Sequence, residues 1–160
     1  MQIDIKGKIN EKKLAYSNTL LPLFEAIVNS IQAIEEDSST KNGIVEIDIV
    51  RSTQKELELT ENEVLPEIID FVVKDNGIGF NENNYDSFNY AHSTYKYGKG
   101  GKGIGRFTWL RAFRKAEIES RYKENGQWNL RKFQFEPTKK GIENHTLNQV
   151  EYCYKQVSFR

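Results

Sequence analysis

The feature that most constrains this chain is an apolar run that stops abruptly. Ile68-Ile69-Asp70-Phe71-Val72-Val73 is rich in β-branched and aromatic residues, the composition of a strand. Asp75-Asn76-Gly77-Ile78-Gly79-Phe80 follows almost at once, and its two glycines end any regular element. A strand this apolar predicts burial on both faces, which requires another layer to cover it. The segment best suited to that layer is Ser17 to Glu36. There Leu20, Phe24, Ile27, Val28, Ile31 and Ile34 recur at steps of three and four, predicting a helix with those residues on its buried face. Ser17 or Asn18 stands where an N-cap belongs, and Pro22 is tolerated in a first turn.

The rest of the chain supplies a sheet. Residues 43–52 read as a strand through Ile44, Ile47, Ile49 and Val50, and 53–65 read as a polar connection. Met1 to Asn10 alternates like a strand. Asn81 to Gly101 has no clear period and reads as a long loop, of the kind that carries function in a compact domain. Gly103 to Arg114 predicts a second helix, with Ile104, Phe107, Trp109, Leu110 and Phe113 facing a core. Strands follow at Lys115–Tyr122, Trp128–Glu136 and Val150–Phe159, with Glu124-Asn125-Gly126 as a hairpin turn. Segregated helices and strands predict an α+β domain over residues 1–160, its helices on one face of a mixed, mostly antiparallel sheet. The chain stops almost inside its last apolar stretch, so it reads as the N-terminal fragment of a longer protein.

Charge and composition narrow the function classes. Lys plus Arg and Asp plus Glu number 23 each, so no net field draws the chain to nucleic acid or to an anionic membrane. The single cysteine, Cys153, forms no intramolecular disulfide and fits a reducing, cytoplasmic setting. His92 and His145 stand too far apart in sequence to suggest a zinc site. No apolar run approaches the ~20 residues of a membrane span.

Three constellations carry polar chemistry. Glu25 and Asn29 are four residues apart and share a helix face, which Gln32 and Glu36 continue. That face fits plain solvation, or a ligand for which a carboxylate orients water and an amide oxygen holds a hard cation such as Mg²⁺. Asp75-Asn76-Gly77-Ile78-Gly79 places a carboxylate at a strand tip, followed by two residues without Cβ where a flat ligand can meet the backbone. Alone, it also fits a tight turn closed by its own Asp. Gly98-Lys99-Gly100-Gly101-Lys102-Gly103-Ile104-Gly105-Arg106 packs five glycines into eight residues before a predicted helix. Free N–H groups at a helix start attract phosphate, and a flexible hinge is the other reading. The spacing matches neither a Walker A loop nor a dinucleotide fingerprint.

In their order, FEAIVNSIQA, VVKDNGIGF and GKGGKGIGRF resemble the GHKL ATPase superfamily: gyrase-type topoisomerases, 90-kDa heat-shock chaperones, sensor histidine kinases, DNA mismatch-repair ATPases and microrchidia ATPases. The resemblance spans roughly residues 17–115. It implies a two-layer α/β sandwich of the Bergerat type that binds ATP or ADP with Mg²⁺ between helices and sheet. Glu25 then corresponds to the general base for the attacking water and Asn29 to the Mg²⁺ ligand. Asp75 corresponds to the carboxylate that reads the adenine amino group, with Asn76, Gly77, Ile78 and Gly79 passing the base and Ala33 bordering it. Residues 81–101 become the ATP lid. Gly100, Gly101, Gly103, Ile104 and Gly105 would hold phosphates through their N–H groups, with Lys96, Lys102 and Arg106 nearby. The sequence departs from the pattern in two places. Gln32 stands where many members carry Asp, and no Gly-Thr pair marks the late-strand threonine, for which Thr146 is the nearest candidate. The resemblance also implies nucleotide-driven homodimerisation, or action on downstream domains or protein partners. A histidine-kinase catalytic domain and a non-hydrolysing nucleotide-binding module are the alternatives. His92 is a poor phosphoacceptor because it falls in the lid segment.

Overall fold

The computed structural model describes residues 19–52, 66–89, 105–151 and 154–160. The first helix, α1, is Leu21–Glu36. It starts later than its capping residues suggest: Ser17 and Asn18 lie outside the described residues, and Leu20 at the N-cap makes no side-chain cap. Its far end is closed firmly. The Asp37 N–H donates to the Ile34 carbonyl at 3.1 Å. The Asp37 carboxylate accepts from Ser39 N at 3.0 Å, Ser39 Oγ at 2.7 Å and Thr40 Oγ1 at 2.8 Å, and also from Lys155 Nζ.

The buried face of α1 is not the one its large apolar residues predict. Pro22, Ala26 and Ser30 are buried, whereas Leu20, Phe24, Val28 and Ile31 are exposed among the described residues. Small side chains win that face because they let the helix backbone approach its neighbours closely. At the far end of the helix, Ile78 N donates to the Ala33 carbonyl at 2.9 Å.

Six strands follow: β1 (Val45–Arg51), β2 (Ile68–Asp75), β3 (Ala116–Glu124), β4 (Gln127–Phe135), β5 (Ile142–Val150) and β6 (Gln156–Phe159). They form one sheet in the order β1-β2-β6-β3-β4-β5. Every neighbouring pair is antiparallel, so no parallel pair of the expected mixed sheet occurs among the described residues. Asn125 and Gly126 take left-handed φ values of 50° and 81°, giving the two-residue turn that joins β3 to β4. β2 is buried only toward its end; Ile68 and Ile69 are exposed, so the expectation of burial on both faces fails over its first half. β5 escapes the sequence reading because it is a mostly exposed edge strand without apolar alternation.

Two helical pieces also differ from expectation. Glu82–Asn89 forms a helix, α2, at the start of the segment read as a loop. Its Tyr85 and Phe88 pack edge-on against Phe133 of β4, at centroid distances of 5.4 Å each. The helix expected over 103–114 is instead a 3₁₀ turn, Gly105–Thr108, and a single α turn, α3, at Trp109–Ala112. Arg106 to Leu110 are all buried. Five consecutive buried residues do not suit one face of a regular helix, and a tight turn accommodates them. Phe107 and Trp109 enter the core as expected, beside Ile118, Phe133, Phe135, Val157 and Phe159. Trp109 Nε1 donates to the Pro22 carbonyl at 3.0 Å, tying α3 to the first turn of α1. The opposite sheet face carries ion pairs, including Lys74–Asp48 at 2.8 Å and Lys132–Glu119 at 2.7 Å. No helix among the described residues is long and apolar enough to cross a membrane.

Candidate functional site

The site begins where β2 meets α1. Asp75 is only 4% exposed. Its Oδ1 accepts from Gly77 N at 2.9 Å, and its buried Oδ2 has no hydrogen-bond partner among the described residues. Burial pushes the Asp75 carboxyl up to about 6, with the Gly77 amide and the Ser30 hydroxyl partly offsetting it. The Ser30 hydroxyl lies near enough to the Asp75 carboxyl to favour its ionised form, yet Ser30 Oγ is itself buried and completes no hydrogen bond of normal geometry. A carboxylate oxygen and a hydroxyl therefore sit buried and unsatisfied on neighbouring elements. Native interiors rarely leave such groups without a reason.

The glycines after Asp75 are required by close approach. A Cβ on Gly77 would lie 2.6 Å from the Ala33 carbonyl carbon and 2.7 Å from Ile34 N. Gly79 has φ 81°, and a Cβ there would lie 2.8 Å from Tyr122 Cβ and 3.0 Å from Ser120 Oγ. Gly77 thus packs on Ala33, to which Ile78 is also held by its N–H, while Gly79 packs on Ser120 and Tyr122 of β3. Asn76 behaves differently. Its Nδ2 donates to Asn42 O at 2.9 Å and its Oδ1 accepts from Ile44 N at 2.8 Å. The Asn76 side chain braces the turn against residues 42–44.

Glu25 stands at the other end of the same helix. A Cβ on Gly105 would lie 1.9 Å from Glu25 Oε2, so the carboxylate rests directly on the glycine backbone. Burial raises the Glu25 carboxyl above its ordinary range. Asn29, one turn on, is half-buried. Arg106 departs from expectation: it is buried, with its guanidinium 4.9 Å from the Phe88 ring centroid and 5.2 Å from that of Phe107. Burial lowers it to about 10. This is a core position, not the phosphate-facing one predicted. Thr146 is also displaced. It lies on β5, the far edge of the sheet from β1, pairs with Lys132 of β4, and lines a hollow with Lys132, Ser158 and Arg160. The residue opposite Asp75 on the adjoining strand is Val157. Lys96, Gly100, Gly101, Lys102, Gly103 and Ile104 lie outside the described residues.

Sequence reasoning missed Ser30, Ser120 and Tyr122. The signal for Ser30 was present: Pro22, Ala26 and Ser30 recur every four residues, with Ala33 continuing the small face. Ser120 Oγ accepts from Phe80 N at 2.9 Å, a pairing across forty residues of sequence that no local pattern reveals. No group of three or more acidic, His or Cys residues that could hold a metal occurs among the described residues.

Comparison with known proteins agrees with this architecture. No family model and no curated protein matches the sequence. Among solved structures, the ATPase region of Saccharomyces cerevisiae topoisomerase II bound to ICRF-187 (dexrazoxane) matches over 88% of this chain, with a TM-score of 0.50 and 13% identity. The chain covers 36% of that structure. A second structure of the same ATPase region matches over 56% of this chain and 27% of its own, at a TM-score of 0.38 and 17% identity. The chain shares its α+β fold, with helices on one face of an antiparallel sheet, with that topoisomerase II ATPase region.

Proposed function

We propose that this chain is an ATP-binding domain that hydrolyses ATP with the help of Mg²⁺. The observation that carries the reading is the buried, unpartnered Oδ2 of Asp75 at the start of a turn that Gly77 and Gly79 allow to pack closely on its neighbours. A carboxylate only accepts hydrogen bonds when ionised, so this group selects a ligand with an N–H donor. The two glycines let the turn that follows Asp75 pack tightly against Ala33 and Tyr122. An adenine, with its exocyclic amino group, supplies such a donor. The fold shared with the topoisomerase ATPase region supports this choice.

The other end of α1 supports hydrolysis. Glu25 is partly buried, and its raised carboxyl pKa makes it a better proton acceptor than an exposed glutamate. It abuts Gly105, the described end of the glycine-rich stretch that is expected to cradle the phosphates. On this reading Glu25 orients and deprotonates the attacking water. Asn29 would hold Mg²⁺, which when bound neutralises phosphate charge. The segment between α2 and Gly105 would close over the nucleotide as a lid, and its closure would drive dimerisation or a switch in a larger cytoplasmic protein.

The test is a pair of measurements on the wild type and Glu25→Ala. Mg²⁺-ATP should raise the melting temperature of both, because a ligand that binds only the folded state stabilises it. Phosphate release should fall in the variant by about a hundredfold or more, the scale of a lost general base. No thermal shift in the wild type would overturn nucleotide binding. Unchanged turnover in the variant would overturn the role of Glu25.

A further inference from the structure

Arg131, in the middle of β4, is fully buried, and its position has no explanation in the chemistry above. Its Nη2 meets Glu82 Oε2 at 2.5 Å and its Nη1 donates to the Asn81 carbonyl at 3.2 Å. The guanidinium lies 4.3 Å from the Tyr85 ring centroid and 5.8 Å from that of Tyr122, and Nε has no partner among the described residues. A cation at the start of a helix opposes the helix dipole. A buried ion pair also adds little net stability over an apolar residue of similar size. Neither effect favours an arginine here, so the reason lies in what it grips.

What it grips is the exit of the glycine turn. Asn81 caps α2: its Oδ1 accepts from Asn84 N at 2.9 Å, and its carbonyl accepts from Tyr85 N at 2.9 Å. Asn84 Nδ2 reaches back to the Gly79 carbonyl at 2.9 Å. On the sheet side, Tyr122 and Ser120 lie against Gly79, and Ser120 takes the Phe80 N–H. Tyr122 in turn lies beside Arg131. Arg131 therefore links both walls that hold Gly79, one through Asn81 and Glu82 and the other through Tyr122.

We infer that Arg131 is a positioning residue for the base-binding turn, acting with Glu82 to fix Gly79 and Phe80 relative to Asp75. This rests on the nucleotide reading of that turn. Loosening the strut leaves the Asp75 carboxylate intact but frees the backbone that the ring packs against. Affinity for ATP falls, and so does the preference for an adenine over a guanine base. A general loss of stability would weaken both nucleotides alike.

The experiment uses Arg131→Met, Arg131→Lys and Glu82→Gln in the full chain. Glu82 is exposed, so Glu82→Gln removes the ion pair without opening the core. ATP and GTP dissociation constants are measured by titration, and amide hydrogen exchange is followed at residues 77–81 without nucleotide. Arg131→Met and Glu82→Gln should weaken ATP binding roughly tenfold, about the effect of one charge-assisted hydrogen bond, and narrow the ATP-to-GTP ratio. Arg131→Lys should recover part of both. Exchange at Ile78 and Phe80 should quicken in each variant. Wild-type ATP affinity and ratio in folded variants would overturn the inference, as would equal losses for ATP and GTP. If Arg131→Met does not fold, Glu82→Gln decides alone. If the wild type binds no nucleotide, the ATP reading fails, and unchanged exchange in Glu82→Gln separately overturns the strut.

Discussion

At the scale of single residues, Asp75 does the most with the least. Its burial raises the carboxyl to about 6 from an ordinary 3.8. Between those values the folded chain keeps a proton that the unfolded chain has lost. Asp75 therefore opposes folding increasingly as pH rises from about 4 to about 6, after which the penalty is constant. The sign is the reverse of a salt-bridged carboxylate. Asp75→Asn should thus leave stability at neutral pH unchanged or improved, while weakening ATP binding by roughly tenfold to a hundredfold. In the wild type, ATP affinity should decline as pH falls through about 6, and in Asp75→Asn that decline should vanish. Denaturant melts and nucleotide titrations across pH check both. Asp75, Gly77 and Gly79 were legible because their chemistry is local: a carboxylate, a turn and absent side chains. Asn76, Arg106 and Thr146 were not. Their settings depend on Asn42 and Ile44, on the Phe88 ring and on the β4–β5 register, none of which a motif contains.

At the scale of elements, α1 shows which signal governs packing. Its large apolar stripe predicted the existence of the helix correctly and its buried face incorrectly. The face was chosen by backbone proximity: the turn after β2 meets α1 so closely that only small residues fit between them. Gly77→Ala tests this directly. The new methyl would meet main-chain atoms of Ala33 and Ile34, which cannot swing aside as a side chain can. The expected cost is about 1–3 kcal/mol in a urea melt, the range for overpacked sites. A neutral result would show that α1 slides freely on the sheet. α2 was invisible in sequence because its apolar pattern is weak: only Tyr85 and Phe88, three apart, anchor a helix whose other residues are polar. The hairpin at Asn125-Gly126 was legible because its left-handed angles demand those residue types.

At the scale of the whole molecule, distant segments meet at Asp37. The residue ends α1, yet its carboxylate also binds Lys155, 118 residues away, just before β6. Burial alone would raise this carboxyl, but the bonds from Lys155, Ser39 and Thr40 outweigh it and hold the group well below its usual range. Asp37 thus contributes stability above its unfolded value near 3.8, and that contribution is lost as pH falls below it. Asp37→Asn should be clearly less stable than wild type at neutral pH, and the gap should close in acid; chemical denaturation at the two pH values measures it. β6 itself has a consequence for how the chain is made. It pairs with β2 on one side and β3 on the other, and so joins two otherwise separate halves of the sheet. The strand that leaves the ribosome last among the six is thus inserted at the centre. A nascent chain halted before Gln156 holds a β1–β2 pair and a three-stranded β3–β4–β5 meander with exposed edges, open to pairing with other chains until β6 emerges.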